Sequence, residues 1–126
     1  MLRCAPIAAL AAALALALPA AAQARPFPKN ALRGEIRFAT PPEVLLNGQP
    51  ARLAPGARIR GENNMLVLSG AVIGARAVVN YTVESSGLVK DVWILSADEA
   101  ARRWPRTPQQ AQAWAYDPVA QAWSRP

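Results

Sequence analysis

Ala77-Val78-Val79-Asn80-Tyr81-Thr82-Val83-Glu84-Ser85-Ser86-Gly87-Leu88-Val89-Lys90-Asp91-Val92-Trp93-Ile94-Leu95 is the stretch whose reading decides the fold. Its first half alternates. An extended chain sets Val79, Tyr81 and Val83 on one face and Val78, Asn80, Thr82 and Glu84 on the other. Ser85-Ser86-Gly87 supplies a turn, and residues 88–95 return with Val89, Trp93 and Leu95 on one face and Leu88, Val92 and Ile94 on the other. Lys90 joins the Val92 set and Asp91 the Trp93 set. Apolar side chains on both faces predict a hairpin covered on both sides, at the centre of a sheet.

Upstream, residues 35–39 alternate charged and apolar side chains, as a half-buried strand does, until Pro41-Pro42 ends the run. Residues 44–46 and 49–53 flank Asn47-Gly48, a pair that accepts the positive φ angles of a two-residue hairpin turn. Pro50 donates no ladder hydrogen bond, so the second arm is expected at an edge or with a late start. Pro55-Gly56 predicts a turn before an extended segment at 57–60. Glu62-Asn63-Asn64 predicts another turn, and Met65-Leu66-Val67-Leu68 a short buried strand. Downstream, Ser96-Ala97-Asp98-Glu99 is a capping box that opens a short helix, with Arg102-Arg103 in its last turn and Pro105 as its stop. The expected class is mainly β: a small barrel or rolled antiparallel sheet of five to six short strands over residues 34–104, with one short C-terminal helix. Full closure removes exposed strand edges.

Two local resemblances attach to these motifs. Over residues 65–95, Val67-Leu68-Ser69-Gly70, Val79-Asn80-Tyr81 and Gly87 resemble the small exported bacterial OB-fold proteins, which implies a binding barrel. The hairpin at 79–96 also resembles that of TonB-type C-terminal domains, and residues 97–104 resemble the helix that follows it there. The chain departs from that second family in lacking an upstream Tyr-Pro helix and in carrying more strand candidates. The layout as a whole resembles small exported bacterial proteins.

Met1-Leu2-Arg3, an apolar run at 7–18, Pro19 and Ala22-Gln23-Ala24 together read as a secretory signal peptide cleaved after Ala24. The run is too short for a retained membrane span. Cys4, the one cysteine, precedes the run and leaves with the signal. Export implies a periplasmic or secreted product whose stability comes from packing without disulfides. Residues 25–33 are expected to be a flexible basic segment. The formal net charge is +6, yet charges within 34–104 nearly cancel. The excess lies in Arg25, Lys29 and Arg33 on one side and Arg106 and Arg125 on the other. Within the body only Arg52, Arg58 and Arg60 gather, with Arg58 and Arg60 on one face of an extended chain. They read either as an anion-binding surface or as a solvated strand face.

Residues 105–126 form an Ala/Gln/Pro/Trp tail in which Ala111-Gln112-Ala113-Trp114 recurs as Ala120-Gln121-Ala122-Trp123. Thr107-Pro108 and Asp117-Pro118 are plausible starts of short helices. Either the tail folds back to cover the barrel, or it is disordered or docks elsewhere, with Trp114, Tyr116 and Trp123 as partner-binding anchors.

Chemistry is sparse. With no histidine at all and no cysteine after residue 4, imidazole and thiol catalysis are excluded from the mature chain. Ser85 and Ser86 near Lys90 read as turn residues rather than a dyad, Asp98 and Glu99 as helix-capping acids, and Gly70 to Gly74 as a turn. Dispersed acids argue against a metal site, and no cofactor motif is present. The expectation is a non-enzymatic exported module that binds an envelope protein or an anionic envelope component, with no specific nucleic acid as partner. The alternatives are a small-ligand or anion binder using Arg52, Arg58 and Arg60, and a TonB-like accessory protein.

Overall fold

The computed structural model describes residues 25–126; the signal peptide expected over residues 1–24, with Cys4, lies outside the described residues. The chain runs through β1 (Leu32–Phe38), β2 (Glu43–Leu46) and β3 (Gln49–Arg60) as an antiparallel meander. A short β4 (Leu66–Val67) and one 3-10 turn (Ser69–Ala71) lead into β5 (Arg76–Val83) and β6 (Val89–Ile94). The sheet order is β2-β1-β5-β6-β3-β4 and β2 also pairs with β3, so five strands close into a barrel and β4 adds to the side of β3. One pairing departs from the expected antiparallel roll: β3 and β6 run parallel. The segment between β3 and β5 carries the chain across the barrel end, so the β5–β6 hairpin returns with β6 running the same way as β3.

Local chemistry explains the joints. Asn47 and Gly48 have φ of 55° and 80°, as a two-residue turn requires. Flanking such a turn, Leu46 and Gln49 form the hydrogen-bonded pair, which leaves Pro50, opposite Leu45, at a position where no ladder donor is needed. Pro55-Gly56 does not reverse the chain as expected. Gly56, at φ 77°, sits inside β3, and the register against β6 slips between Leu53 and Arg58. This is a bulge that bends one long strand from its pairing with β2 to its pairing with β6. Gly34, buried within β1, has Asn47 Oδ1 and the Tyr81 ring where a Cβ would stand, at 2.9 and 3.0 Å.

The barrel interior holds Ile36, Phe38, Val44, Leu53, Ile59, Val79, Tyr81, Val89 and Val92. Val89 and Val92 share this interior, contrary to strict alternation, because the β5–β6 register shifts past Thr82 and leaves Lys90 without a partner. The run at 65–68 is not a buried strand: only Leu66 and Val67 pair with β3, and Met65, Leu66 and Leu68 are exposed.

A second core covers the outer face of β5 and β6. It comprises Phe27, Ala31, Leu95, Trp104 and Trp123, with Val78, Trp93, Trp114 and Tyr116 packed against them. Its rings meet mostly edge to face: Phe27–Trp104 at 5.6 Å, Trp104–Trp123 at 5.7 Å and Phe27–Trp93 at 5.8 Å. The elements that build it are α1 (Ala97–Ala101), α2 (Pro108–Ala113) and a small hairpin of β7 (Ala115–Asp117) and β8 (Ala122–Ser124). One of the two alternatives for the tail is realised, and one expectation is corrected. The tail at 105–126 folds back onto the body, because its aromatic side chains find the apolar outer face of the barrel. Residues 25–33 are not a flexible basic segment: Phe27 and Ala31 are core, Arg33 is buried, and the half-buried Arg25 is held by hydrogen bonds to the body.

Candidate functional site

The site is built on α1. Ser96 Oγ accepts a hydrogen bond from Glu99 N at 3.3 Å and Glu99 Oε1 accepts one from Ser96 N at 3.0 Å, the reciprocal cap expected from the sequence. Glu99 also holds Arg25, which donates through Nε at 2.9 Å and NH2 at 2.7 Å and reaches the carbonyls of Gly61 and Ile94, both at 2.7 Å. Burial alone would raise the Glu99 carboxyl pKa. The hydrogen bonds from Arg25 and Ser96, with the charge of Arg25, outweigh it and hold the pKa below the ordinary value.

The helix ends at Ala101 with Arg102 as its cap, so Arg102 and Arg103 lie past the last turn rather than in it. A five-residue helix leaves most of its carbonyls unsatisfied. Arg33, only 4% exposed, supplies donors: NH1 to the carbonyls of Ala100 and Arg102 at 3.0 Å, and NH2 to that of Glu99 at 3.2 Å. Its Nε donates to Asn80 Oδ1 at 2.8 Å, across the β1–β5 ladder. Burial first, then the nearby Arg106 guanidinium, lowers the Arg33 pKa to about 10 against a smaller opposing pull from Glu99, so Arg33 stays charged at neutral pH.

Beyond Arg33 the surface opens into a recess of about 740 Å³ whose lining includes Arg33, Arg102, Arg103, Arg106, Arg125 and Trp114. α2 places one wall. Thr107 Oγ1 caps it by accepting from Gln110 N at 3.1 Å, Pro108 occupies its first turn, and Gln110 Oε1 accepts from Arg106 N at 2.8 Å. Arg125 lies over the Trp114 ring, 5.7 Å from its centroid, a cation–π contact. Among the described residues no acidic side chain lines the recess. Among the described residues the ion pairs are Arg25–Glu99 and Arg52–Glu43, so the recess arginines have no carboxylate partner there. Guanidinium groups lining one opening can donate paired charge-assisted hydrogen bonds to carboxylate, phosphate or sulfate oxygens.

The arginines singled out from sequence do not form this site. Arg52 is exposed and bonded to Glu43 at 2.8 Å. Arg58 stands opposite Asp91, and Arg60 lies between Leu66 and Trp93, on the far side of the β3 bulge from Arg52. The bulge separates what the sequence places together. The tail aromatics also divide. Trp114 is half-buried and lines the recess; Tyr116 is half-buried in the second core, its hydroxyl pKa raised by burial and by Asp117. Trp123 is 4% exposed and belongs to the core, so it is not an available anchor. The recess arginines were missed because they enter from three separate segments. The signal that pointed to them is the excess basic charge on either side of residues 34–104, which the fold brings together.

Comparisons with protein-family models, with curated proteins and with solved structures found no match to this chain.

Proposed function

We propose that the protein is an exported, non-enzymatic β module that binds an anionic component of the cell envelope in the arginine recess. The observation that carries this reading is that Arg102, Arg103, Arg106 and Arg125, with the buried Arg33 behind them, line one opening that no acidic side chain among the described residues lines. The closed barrel with a parallel β3–β6 pair supports the OB-like resemblance, a fold used for binding rather than for one chemistry. The signal-peptide reading supports an envelope location. Isothermal titration with tripolyphosphate tests the proposal. Binding should weaken steeply as salt rises, and replacing Arg102, Arg103 and Arg106 together by glutamine should remove it. Salt-independent binding, or binding that survives the triple replacement, overturns it.

A second reading, contact with an envelope protein, is favoured by a different observation. Met65, Leu66, Leu68 and Ile73 are 56–81% exposed on the segment between β3 and β5, a grouping of apolar side chains that marks interaction surfaces. A partner co-purified from the envelope by the protein and lost with Leu68→Ser would support it; recovery of the same proteins by both would exclude it.

A further inference from the structure

The β1–β5 ladder carries a second basic feature at the end away from Arg33. Arg37 stands directly opposite Arg76 in the antiparallel register. Phe38 N bonds to Ala75 O at 2.9 Å, and bonded pairs alternate with non-bonded ones, so Arg37 and Arg76 form a non-hydrogen-bonded pair. Such pairs bring side chains closest, and like charges there destabilise the sheet. Both arginines are exposed, and neither has an ion-pair partner among the described residues. A fold that keeps two cations at this spacing carries a repulsion that a bound anion relieves.

The pair borders a groove of about 540 Å³ whose other lining residues include Glu35, Leu45 and Val78. Leu45 is 36% exposed, an apolar side chain left at the edge of the opening. Glu35 lies two residues from Arg37, on the same face of β1. Two arginines against one glutamate leave a single net positive charge, which matches one anionic group and opposes a second.

We propose that this groove binds a small amphipathic monoanion: one carboxylate held between the Arg37 and Arg76 guanidiniums, with a short aliphatic body against Leu45 and Val78. A carboxylate offers two oxygens and enough lone pairs to accept from both forks. The groove differs in charge and lining from the arginine recess, and its occupation does not depend on what the recess binds.

The test is calorimetric titration of octanoate at fixed ionic strength, beside acetate and octylammonium, with Arg37→Gln, Arg76→Gln and Arg106→Gln variants and melting temperatures recorded with and without ligand. Octanoate should bind and raise the melting temperature. Acetate, which lacks the aliphatic body, should bind at least about tenfold more weakly, and octylammonium should not bind. Arg37→Gln and Arg76→Gln should each weaken octanoate binding about tenfold or more. Without ligand both variants should melt no lower than the parent protein, because the repulsion is gone, and Arg106→Gln should leave octanoate binding intact. The proposal is overturned if octanoate does not bind, or if either groove variant binds it as tightly as the parent. It is equally overturned if either variant melts lower without ligand, if Arg106→Gln abolishes binding, or if octylammonium competes.

Discussion

Replacing Trp123 with alanine is expected to cost about 3–5 kcal/mol of folding stability, the range for emptying a large aromatic side chain from a core. The structure supplies the reason. Trp123 is 4% exposed, three residues from the end of the chain, and its ring lies 4.8 Å from Tyr116 and 5.7 Å from Trp104 between ring centroids. Trp104 in turn touches Phe27 and donates through Nε1 to Ala31 O at 2.7 Å, so a cavity at Trp123 loosens the wall that holds the N-terminal segment. Against a typical total of about 5–15 kcal/mol, such a loss moves the urea midpoint far down. Trp123→Phe is the control. Trp123 Nε1 is buried with no hydrogen-bond partner among the described residues, so phenylalanine keeps much of the ring packing and removes an unsatisfied donor. It should cost under about 2 kcal/mol. Urea unfolding followed by far-ultraviolet circular dichroism measures both. An alanine variant within about 1 kcal/mol of the parent, or one in which the tail melts separately while the barrel transition is unchanged, refutes the shared second core.

Other perturbations test separate joints. Gly34→Ala puts a Cβ about 3 Å from Asn47 Oδ1 and the Tyr81 ring, and should destabilise the protein by about 1–3 kcal/mol, as overpacking does, in the same urea assay. Arg33→Met should cost about 3 kcal/mol or more, because Asn80 Oδ1 and the carbonyls of α1 lose their donor while buried; a loss below 1 kcal/mol would show that water replaces it. Glu99 has a lowered folded-state pKa, so its contribution is present above the unfolded glutamate pKa and fades as pH falls through the folded one. Melting temperature should therefore drop on acidification below the ordinary glutamate range, and drop less in Glu99→Gln; equal slopes in both proteins would contradict this.

The sequence carried the local parts of the fold. The central hairpin, the Asn47-Gly48 turn and the Ser96–Glu99 cap each depend on residues within a few positions of one another, and each formed where the pattern indicated. The errors lie where distant partners decide. Pro55-Gly56 suits a turn or a bulge equally well, and the choice is made by β6, which pairs on both sides of the bend. Val89 faces the interior only because Lys90 is looped out, a one-residue slip that reverses every face before it. The tail alone holds few aliphatic residues, and part of the core it joins, Phe27 and Ala31, comes from the segment before β1. The candidate site follows the same logic. Arg33, Arg106 and Arg125 stood out as charge excess at the ends, but their meeting beside Arg102 and Arg103 follows from the docking of the tail, which no local pattern encodes.

The recess is tested most directly by residue-resolved nuclear magnetic resonance during titration with tripolyphosphate, following backbone amides and arginine Nε–Hε signals. Saturable shifts should concentrate at Arg33, residues 100–104, Arg106, Gln110, Trp114 and Arg125, which line the recess, and leave Arg52, Arg58 and Arg60 unmoved. Shifts confined to Arg52, Arg58 and Arg60, or spread evenly over every basic residue, would contradict a built anion site between α1 and the tail.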